Sequence, residues 1–521
     1  MKKLNFLIIA LALCVYAEAQ WINDPVSNTF LANSSADAGE IYLATNTNTG
    51  NTYIQWCSFV GGNGWSPTLQ RLNFAGEPQW GSDGIHIAAH EFASYSQGVA
   101  MTTTTDGSVV SCFAANNDHS YAVKINADGT FAWGEQGVQL FGGQGFSRTE
   151  VIAGNDGGIW ALGSDYSTLF LQYVNADGTT NPTVTISDSS GKSCAYGQLT
   201  LGNDNNVFVT YEKLGSGFGL YKEKQIFVVG YNTDGTQYSP DTMLMSGKTF
   251  QVTYIHHVVS DGVGGGYAYI WHSGTNDAFN TYVFHFDQNG TSTIADTNGT
   301  PVHTGDPNSF YLDAYATVDP ESHDLLIAYQ VTDATTQTLC QLFVNRISVT
   351  GERLWDEGMM ALDNGTTPCS DLRIDAFEDG SGFSLIYHKG VLSGSQSTVE
   401  AQAFDMEQNT LWNTQMCSST YNKTGDEDST GFHGGQNIVA WVNSNTGGIY
   451  GQNINTEGVM GEMQPTSITE NEYEEIVTVI AVYNINGQKV NCSDINNLTQ
   501  GIYILEGFSA SGKQTVKKVI R

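Results

Sequence analysis

Along the chain, short apolar stretches of alternating character are broken every few residues by clusters of Gly, Asn and Asp, and one such arrangement returns with a long period. Its clearest copy runs from Asn126 to Leu140, NADGTFAWGEQGVQL. It consists of a polar residue, glycine three places on, tryptophan four places after that, then Gly-hydrophobic-x-hydrophobic. The polar residue and the glycine recur as Asn73/Gly76, Asn126/Gly129, Asn175/Gly178, Asn232/Gly235, Asp287/Gly290, Ser348/Gly351 and Asn455/Gly458, and the glycine is lost at Asp405/Gln408. Tryptophan keeps the same register at Trp80, Trp133, Trp355 and Trp412, which supports the copy without glycine independently. Eight copies spaced about 49 to 61 residues apart mark a repeat protein.

Each copy reads as a β-hairpin turn. Asn or Asp at the first position bonds its own backbone, and glycine at the fourth supplies the positive φ that leaves the turn. Upstream lies a second cluster followed by an alternating apolar strand, as in TTDGSVVSCFA, GNDGGIWALG, GNDNNVFVTY and FEDGSGFSLIY. A period therefore holds about four short strands. Four antiparallel strands repeated eight times predict an all-β chain folded as an eight-bladed β-propeller over residues 20–462, with seven blades the alternative count and a straight solenoid the alternative shape. The tryptophan segment should lead into the outer strand of each blade, and Trp21 to Ala32 should complete the last blade and close the ring.

Composition narrows the function classes. Glycine is abundant (58) and proline scarce (10), and no sustained 3.6-residue periodicity argues for helices beyond the extreme N-terminus. Asp plus Glu outnumber Lys plus Arg by 53 to 20, a formal charge of −33, which excludes nucleic acid as a partner. The acidity fits solubility in a secreted protein and would attract cationic partners. The densest acidic stretch, GDEDSTG at Gly425 to Gly431, lacks the ligand spacing and distal glutamate of an EF-hand, so calcium is a minor candidate and no other cofactor is expected.

At the N-terminus, Lys2 and Lys3 precede the apolar run LNFLIIALALCVY and the small residues Ala17 and Ala19. This reads as a secretory signal peptide over residues 1–19, cleaved after Ala19, too short to span a bilayer. Seven cysteines then remain, at 57, 112, 194, 340, 369, 417 and 492, an odd number on different repeats and no disulfide framework. Cys57, Cys112 and Cys340 lie in apolar strands as core residues, and Cys369 and Cys417 are the one pair expected to bridge. His86/His90 and His256/His257 are the closest histidine groupings. His256 and His257 point to opposite faces of a strand, and no HExxH or GxSxG pattern recruits them. A carboxylate pair for glycan hydrolysis cannot be placed from sequence. Aromatics such as Tyr42, Trp56, Tyr254, Trp271, Tyr329 and Trp441 are expected mostly in the core, with a few, such as Trp65, offering a ligand platform on one rim.

After Glu462 the pattern changes. Residues 463–475 form a polar linker, and three apolar segments follow in 476–521: VTVIAVYNINGQKV, LTQGIYILEG and KQTVKKVIR. The run from Tyr483 through Gly487 to Lys489, the Gly501-Ile-Tyr503 segment and the terminal Lys517-Lys518-Val-Ile run resemble the C-terminal sorting domain of the type IX secretion system of Bacteroidota. That resemblance covers about 55 residues and implies a small β-sandwich-like sorting domain. It also implies a partner in the type IX machinery and display at the outer-membrane surface, with polysaccharide anchoring after the domain is removed. Together these readings point to a surface-displayed, monomeric binding protein without a transmembrane anchor, presenting its propeller to an extracellular protein or glycan. A secreted glycan or peptide hydrolase is the alternative. A cluster of carboxylates with raised pKa in the central channel would favour the enzyme.

Overall fold

In the computed structural model the described residues are 21–34, 41–59, 64–90, 99–115, 119–143, 148–165, 167–273, 279–306, 308–390, 397–418, 423–443 and 447–461, together with 476–484, 489–490, 502–509 and 514–520. The chain divides into two compact units, residues 1–464 and 465–521.

The first unit is a propeller of eight four-stranded antiparallel sheets. Blades 1 to 7 each use four consecutive strands and begin at Tyr42–Thr45, Val99–Thr103, Arg148–Ala153, Ser193–Leu201, His257–Ser260, Ser309–Val318 and Cys369–Ala376. Blade 8 takes three strands from Lys423–His433, Gln436–Asn443 and Gly448–Asn455, and its fourth, Thr29–Asn33, comes from the start of the chain. The first strands of successive blades touch in cyclic order, and that of blade 8 touches that of blade 1, so the ring closes around these innermost strands. Eight blades, not seven, and outer-strand closure by the N-terminal segment both follow from this order. Helix among the described residues amounts to two 3-10 turns, Phe141–Gly143 and Asn203–Asn205.

Second strands are packed on both faces between neighbouring blades, and their sequences read accordingly. VVSCFA of Val109–Ala114 and QNIVAWVN of Gln436–Asn443 are buried at every position. Of the aromatics assigned to the core, Trp56, Tyr329 and Trp441 are fully buried there, as is Trp160, while Tyr42, Tyr254 and Trp271 are only partly buried. Trp65, the candidate for a rim platform, is partly buried against Phe59, ring centroids 5.6 Å apart.

The repeat turn has one geometry. In Asn126–Thr130 the Gly129 N–H donates to the Asn126 carbonyl (2.8 Å), Asn126 N–H donates to the Thr130 carbonyl (2.8 Å), and Asp128 accepts from both the N–H and the hydroxyl of Thr130. The same bonds recur at Asn175–Thr179 and Asn232–Thr236. Glycine and tryptophan, separate features of the repeat, meet across blade boundaries. The indole N–H of Trp21, Trp80, Trp133 and Trp412 donates to the carbonyl of Phe74, Ala127, Ala176 and Thr456 respectively, each the second residue of the next unit's turn. Gly76, Gly178 and Gly458 carry a φ of 77° to 86°, and a Cβ on any of them would lie 2.6 to 2.8 Å from the indole; Gly129, at 88°, lies next to Trp80 and Ile85. Where the tryptophan is missing, Val184, Ser239 and Thr300 fill the space beside Gly235, Gly290 and Gly351.

Trp355 departs from the expected equivalence. Its partner turn carries Gln408 at φ 71° in place of glycine, and the Trp355 ring packs on Phe383 at 5.9 Å instead. The glycine that serves as a ledge for the other indoles is absent from this turn.

All six described cysteines are unbridged and buried. Cys369 and Cys417 do not pair, contrary to the sequence expectation. They lie on the first and fourth strands of blade 7, three strand spacings apart, or about 14 Å at 4.8 Å per step. A disulfide needs Cα atoms within about 7 Å. Cys417 donates to Asn28 Oδ1 (3.0 Å), and Cys369 accepts from Asn364 (3.3 Å).

The second unit is described only by its strands, Ile476–Asn484, Lys489–Val490, Ile502–Ser509 and Gln514–Ile520, which form one antiparallel sheet. Tyr483 pairs with Lys489 and Tyr503 with Val519, while Lys517 and Lys518 lie in the last strand. Gly487, Gly501, Ala17 and Ala19 lie outside the described residues.

Candidate functional site

The first strand of every blade pairs with its second in a common register, so one position can be compared around the ring. Counting from the residue opposite the one that precedes the repeat turn, the fourth residue of the second strand faces Tyr42, Ala100, Glu150, Gln198, His257, Tyr315, Arg373 and Asp428 in blades 1 to 8. These eight residues form one level of the innermost ring. Blades 5 to 8 contribute His, Tyr, Arg and Asp, and this is where the chemistry concentrates. The Arg373 guanidinium lies 4.4 Å over the Tyr315 ring and 3.8 Å from the Asp428 carboxylate. Asp428 also accepts the Leu43 N–H of blade 1 (2.8 Å). Gln198 bridges to blade 5 by accepting the Val258 N–H (2.9 Å).

Just before this level the first strands of blades 4, 6 and 7 bulge. One extra residue interrupts the ladder, two residues facing one, between Ala195 and Gln198, Leu312 and Tyr315, and Ser370 and Arg373. In each bulge the leading residue is left-handed without being glycine: Tyr196 at φ 53°, Asp313 at 49° and Asp371 at 50°. Such conformations cost about 1–3 kcal/mol each and persist where the surroundings impose them. The two aspartates occupy the same register on adjacent blades.

A cavity of about 300 Å³ opens here, lined by blades 5, 6 and 7. Asp313, Asp371, Tyr315, His257, Trp271 and Cys369 all contribute to its wall. Trp271 packs against Tyr254 with centroids 3.8 Å apart and the rings tilted by 34°, and His257 is exposed while its neighbour His256 is fully buried.

The two carboxyls of the cavity differ in environment. Asp313 is open to water yet enclosed by protein, makes no hydrogen bond or ion pair among the described residues, and is raised above the usual carboxylate range by desolvation. Burial also works to raise Asp371. His388, 2.9 Å away, together with Ser370 and Arg373, outweighs it and holds the carboxyl low. Two more innermost-strand acids are raised by burial: Asp375, which accepts from Asn437 (2.7 Å) and Ser429, and Asp428, pushed up to about 6. Carboxyls with raised pKa thus gather on blades 6, 7 and 8.

Asp428 gives a pH prediction. Burial outweighs the nearby Arg373, Asp375 adds a like charge, and the folded pKa of Asp428 lies above the value near 4 of an unfolded aspartyl, so the folded state holds the proton more tightly. The resulting stabilisation of the protonated protein is lost as the pH rises from about 4 through about 6. Asp428→Asn, which keeps an acceptor for Leu43, should raise stability at pH 7.5 by about 1–2 kcal/mol and leave it unchanged at pH 4. Equal effects at both pH values in thermal melts would contradict the assignment.

Other titratable groups are engaged away from the cavity. Glu212, Lys224 and His256 form an interior polar cluster between blades 4 and 5 with no exposed surface, Lys224 Nζ lying 2.8 Å from Glu212 and His256 Nδ1 3.3 Å. His285 pairs with Asp261 at 3.2 Å in blade 5. His90 stacks on Tyr121, and His86 bonds Thr68. Among the described residues no group of three or more His, Cys, Asp or Glu could hold a metal ion. Within GDEDSTG, Asp428 and Ser429 are committed to the bonds above. Of the histidines grouped in the sequence, His257 lines the cavity while His86, His90 and His256 do not, and the level that joins His257 to Tyr315 and Arg373 is visible only when residues are counted from each repeat turn.

No family model matches the chain, and no curated protein sequence does. Among solved structures it is similar to the polysaccharide lyase Uly1, at 12% identity and a TM-score of 0.44 over 73% of this chain and 93% of that one. An ulvan lyase of family PL25 aligns at 11% identity and a TM-score of 0.42 over 83% and 97%. Prolyl oligopeptidase B from Galerina marginata aligns at 11% and 0.42 over 79% of this chain and 56% of its own. Likenesses this distant carry no argument about chemistry.

Proposed function

We propose that this is an exported, surface-displayed propeller that binds an extracellular glycan in the channel-side cavity of blades 5 to 7. The observation that carries the reading is the cavity itself. Its volume of about 300 Å³ suits a sugar residue or two rather than a protein surface, and its wall combines aromatic rings with carboxyl and imidazole groups. Aromatic faces stack on sugar rings, and the polar groups satisfy hydroxyls. Capture of cationic extracellular proteins is a second reading, favoured by the formal charge of −33.

A salt series separates the two. Binding of soluble neutral polysaccharides that is insensitive to ionic strength and lost in Trp271→Ala supports the cavity. Binding confined to basic proteins and abolished as the screening length falls below about 8 Å supports electrostatic capture.

Export rests on the resemblance of residues 476–521 to type IX sorting domains and on the signal-like residues 1–19. Deleting Leu498 to Arg521 should leave a folded propeller in the periplasm, because no propeller sheet uses a strand beyond Asn455. Normal surface display of that truncation, scored by protease accessibility on intact cells, would refute the sorting role.

A further inference from the structure

The cavity contains more than binding needs. A sugar site can be built from aromatic faces and neutral hydrogen-bonding groups. Here two carboxyls stand at the same register of neighbouring innermost strands, both on bulges whose left-handed backbone glycine would adopt at lower cost. The matching bulge of blade 4 carries Tyr196 outside the cavity lining, so what distinguishes blades 6 and 7 is a carboxyl at this position in the cavity wall.

Their surroundings differ as a proton donor and a proton acceptor require. Both contacts that fix Asp371, from His388 Nδ1 and the Ser370 hydroxyl, fall on Oδ2, so Oδ1 is the atom left to take a proton. Asp313 makes no bond to the described protein and keeps its carboxyl for a ligand. His388, fully buried behind Asp371, is a positioning residue.

We propose that the cavity hydrolyses the glycan it binds, with Asp313 as general acid and Asp371 as general base. Asp313 gives its proton to the glycosidic oxygen as the bond from that oxygen to the anomeric carbon breaks. A water molecule adds to the anomeric carbon, and its proton passes to Asp371. The sum is one glycosidic bond and one water consumed, two hydroxyl-bearing ends formed, and no redox change. Proton return from Asp371 to Asp313 through solvent resets the site. This assignment rests on the reading of the cavity as a glycan site.

The test measures reducing ends released by the full-length mature chain from β-glucan, xylan and mannan, alongside calorimetric binding of the same polysaccharides. Asp313→Asn and Asp371→Asn are the variants of choice, because asparagine tolerates the left-handed backbone and should preserve the fold, as matching melting curves would show. Each should lower release by about 10²- to 10⁴-fold, the usual contribution of an acid or base, while binding changes less than about threefold. Release that neither substitution slows overturns the assignment. So does binding without any release by the unmutated protein, and that result leaves the binding reading standing. Absence of both binding and release sinks the glycan reading together with the catalytic one.

Discussion

A chain lacking residues 21–33 should lose the sharp thermal transition of the intact propeller and associate into dimers or larger species. These residues supply the fourth strand of blade 8, in which Thr29 pairs with Gly451 and Phe30 with Tyr450. Trp21 and Leu31 are essentially inaccessible to solvent. Removing two such side chains corresponds to roughly 5–10 kcal/mol on the scale of core truncations to alanine. The effect on assembly is separate from the effect on stability. Without this strand, Gly448–Asn455 becomes an unprotected edge carrying a row of unpaired backbone groups, a template for pairing with a second molecule. Differential scanning calorimetry and size-exclusion chromatography check the two effects. An unchanged melting temperature with a monomeric elution volume would mean that the ring does not depend on this closure.

Gly76→Ala should be the most damaging of the single glycine substitutions in the repeat turns, costing about 2–4 kcal/mol. Part of the loss is the backbone: φ is 83°, and alanine held in a left-handed conformation costs about 1–2 kcal/mol. The remainder is steric. The new methyl would stand 2.6 Å from the Trp21 indole, which is fixed on two sides because its ring N–H donates to Phe74 and its backbone N–H to Ala75, both at 3.1 Å. Moving the ring breaks the join between blade 8 and blade 1, whereas the new methyl of Gly235→Ala comes no closer than 3.1 Å, to Val184, and should cost less. A smaller shift in melting temperature for Gly76→Ala than for Gly235→Ala would show that the indole contact is not what makes the position sensitive.

How far the sequence foretells this architecture depends on the range of the interaction. Turn chemistry is local, so Asn126, Asp128 and Gly129 announce their hairpin within five residues, and eight such announcements count eight blades. The register of Trp80, Trp133 and Trp412 points to one outer strand after another. The contact that explains why both features persist, indole on glycine, joins residues more than 40 positions apart and leaves no trace in either neighbourhood. Trp355 shows the cost of extrapolating from register alone, since it keeps its place in the repeat and loses its bond. The site was harder still. Bulges at Asp313 and Asp371 come from strand pairing that no short-range pattern encodes, and the cavity draws on three units whose loops and strands differ in length. Cys369 and Cys417 sit near one end of the same blade, but nothing in their spacing reveals that two strands lie between them.

The strand that completes blade 8 also sets an order of events in time. Most strands of the propeller find their partners within a couple of dozen residues, but Thr29–Asn33 waits for residues 448–451. Going from a separation of about 20 to one of about 420 adds roughly 2–3 kcal/mol of loop-closure entropy, a modest equilibrium cost. Its kinetic cost is larger, because a chain made from its N-terminus must carry this segment unpaired until some 420 further residues exist. Throughout that interval a growing arc of finished blades exposes one raw face at each end, and Trp21 has no glycine ledge until the turn at Asn73 has formed. The first thirteen described residues of the propeller are thus among the last to be fixed, and any factor that shields a nascent chain would act most usefully there.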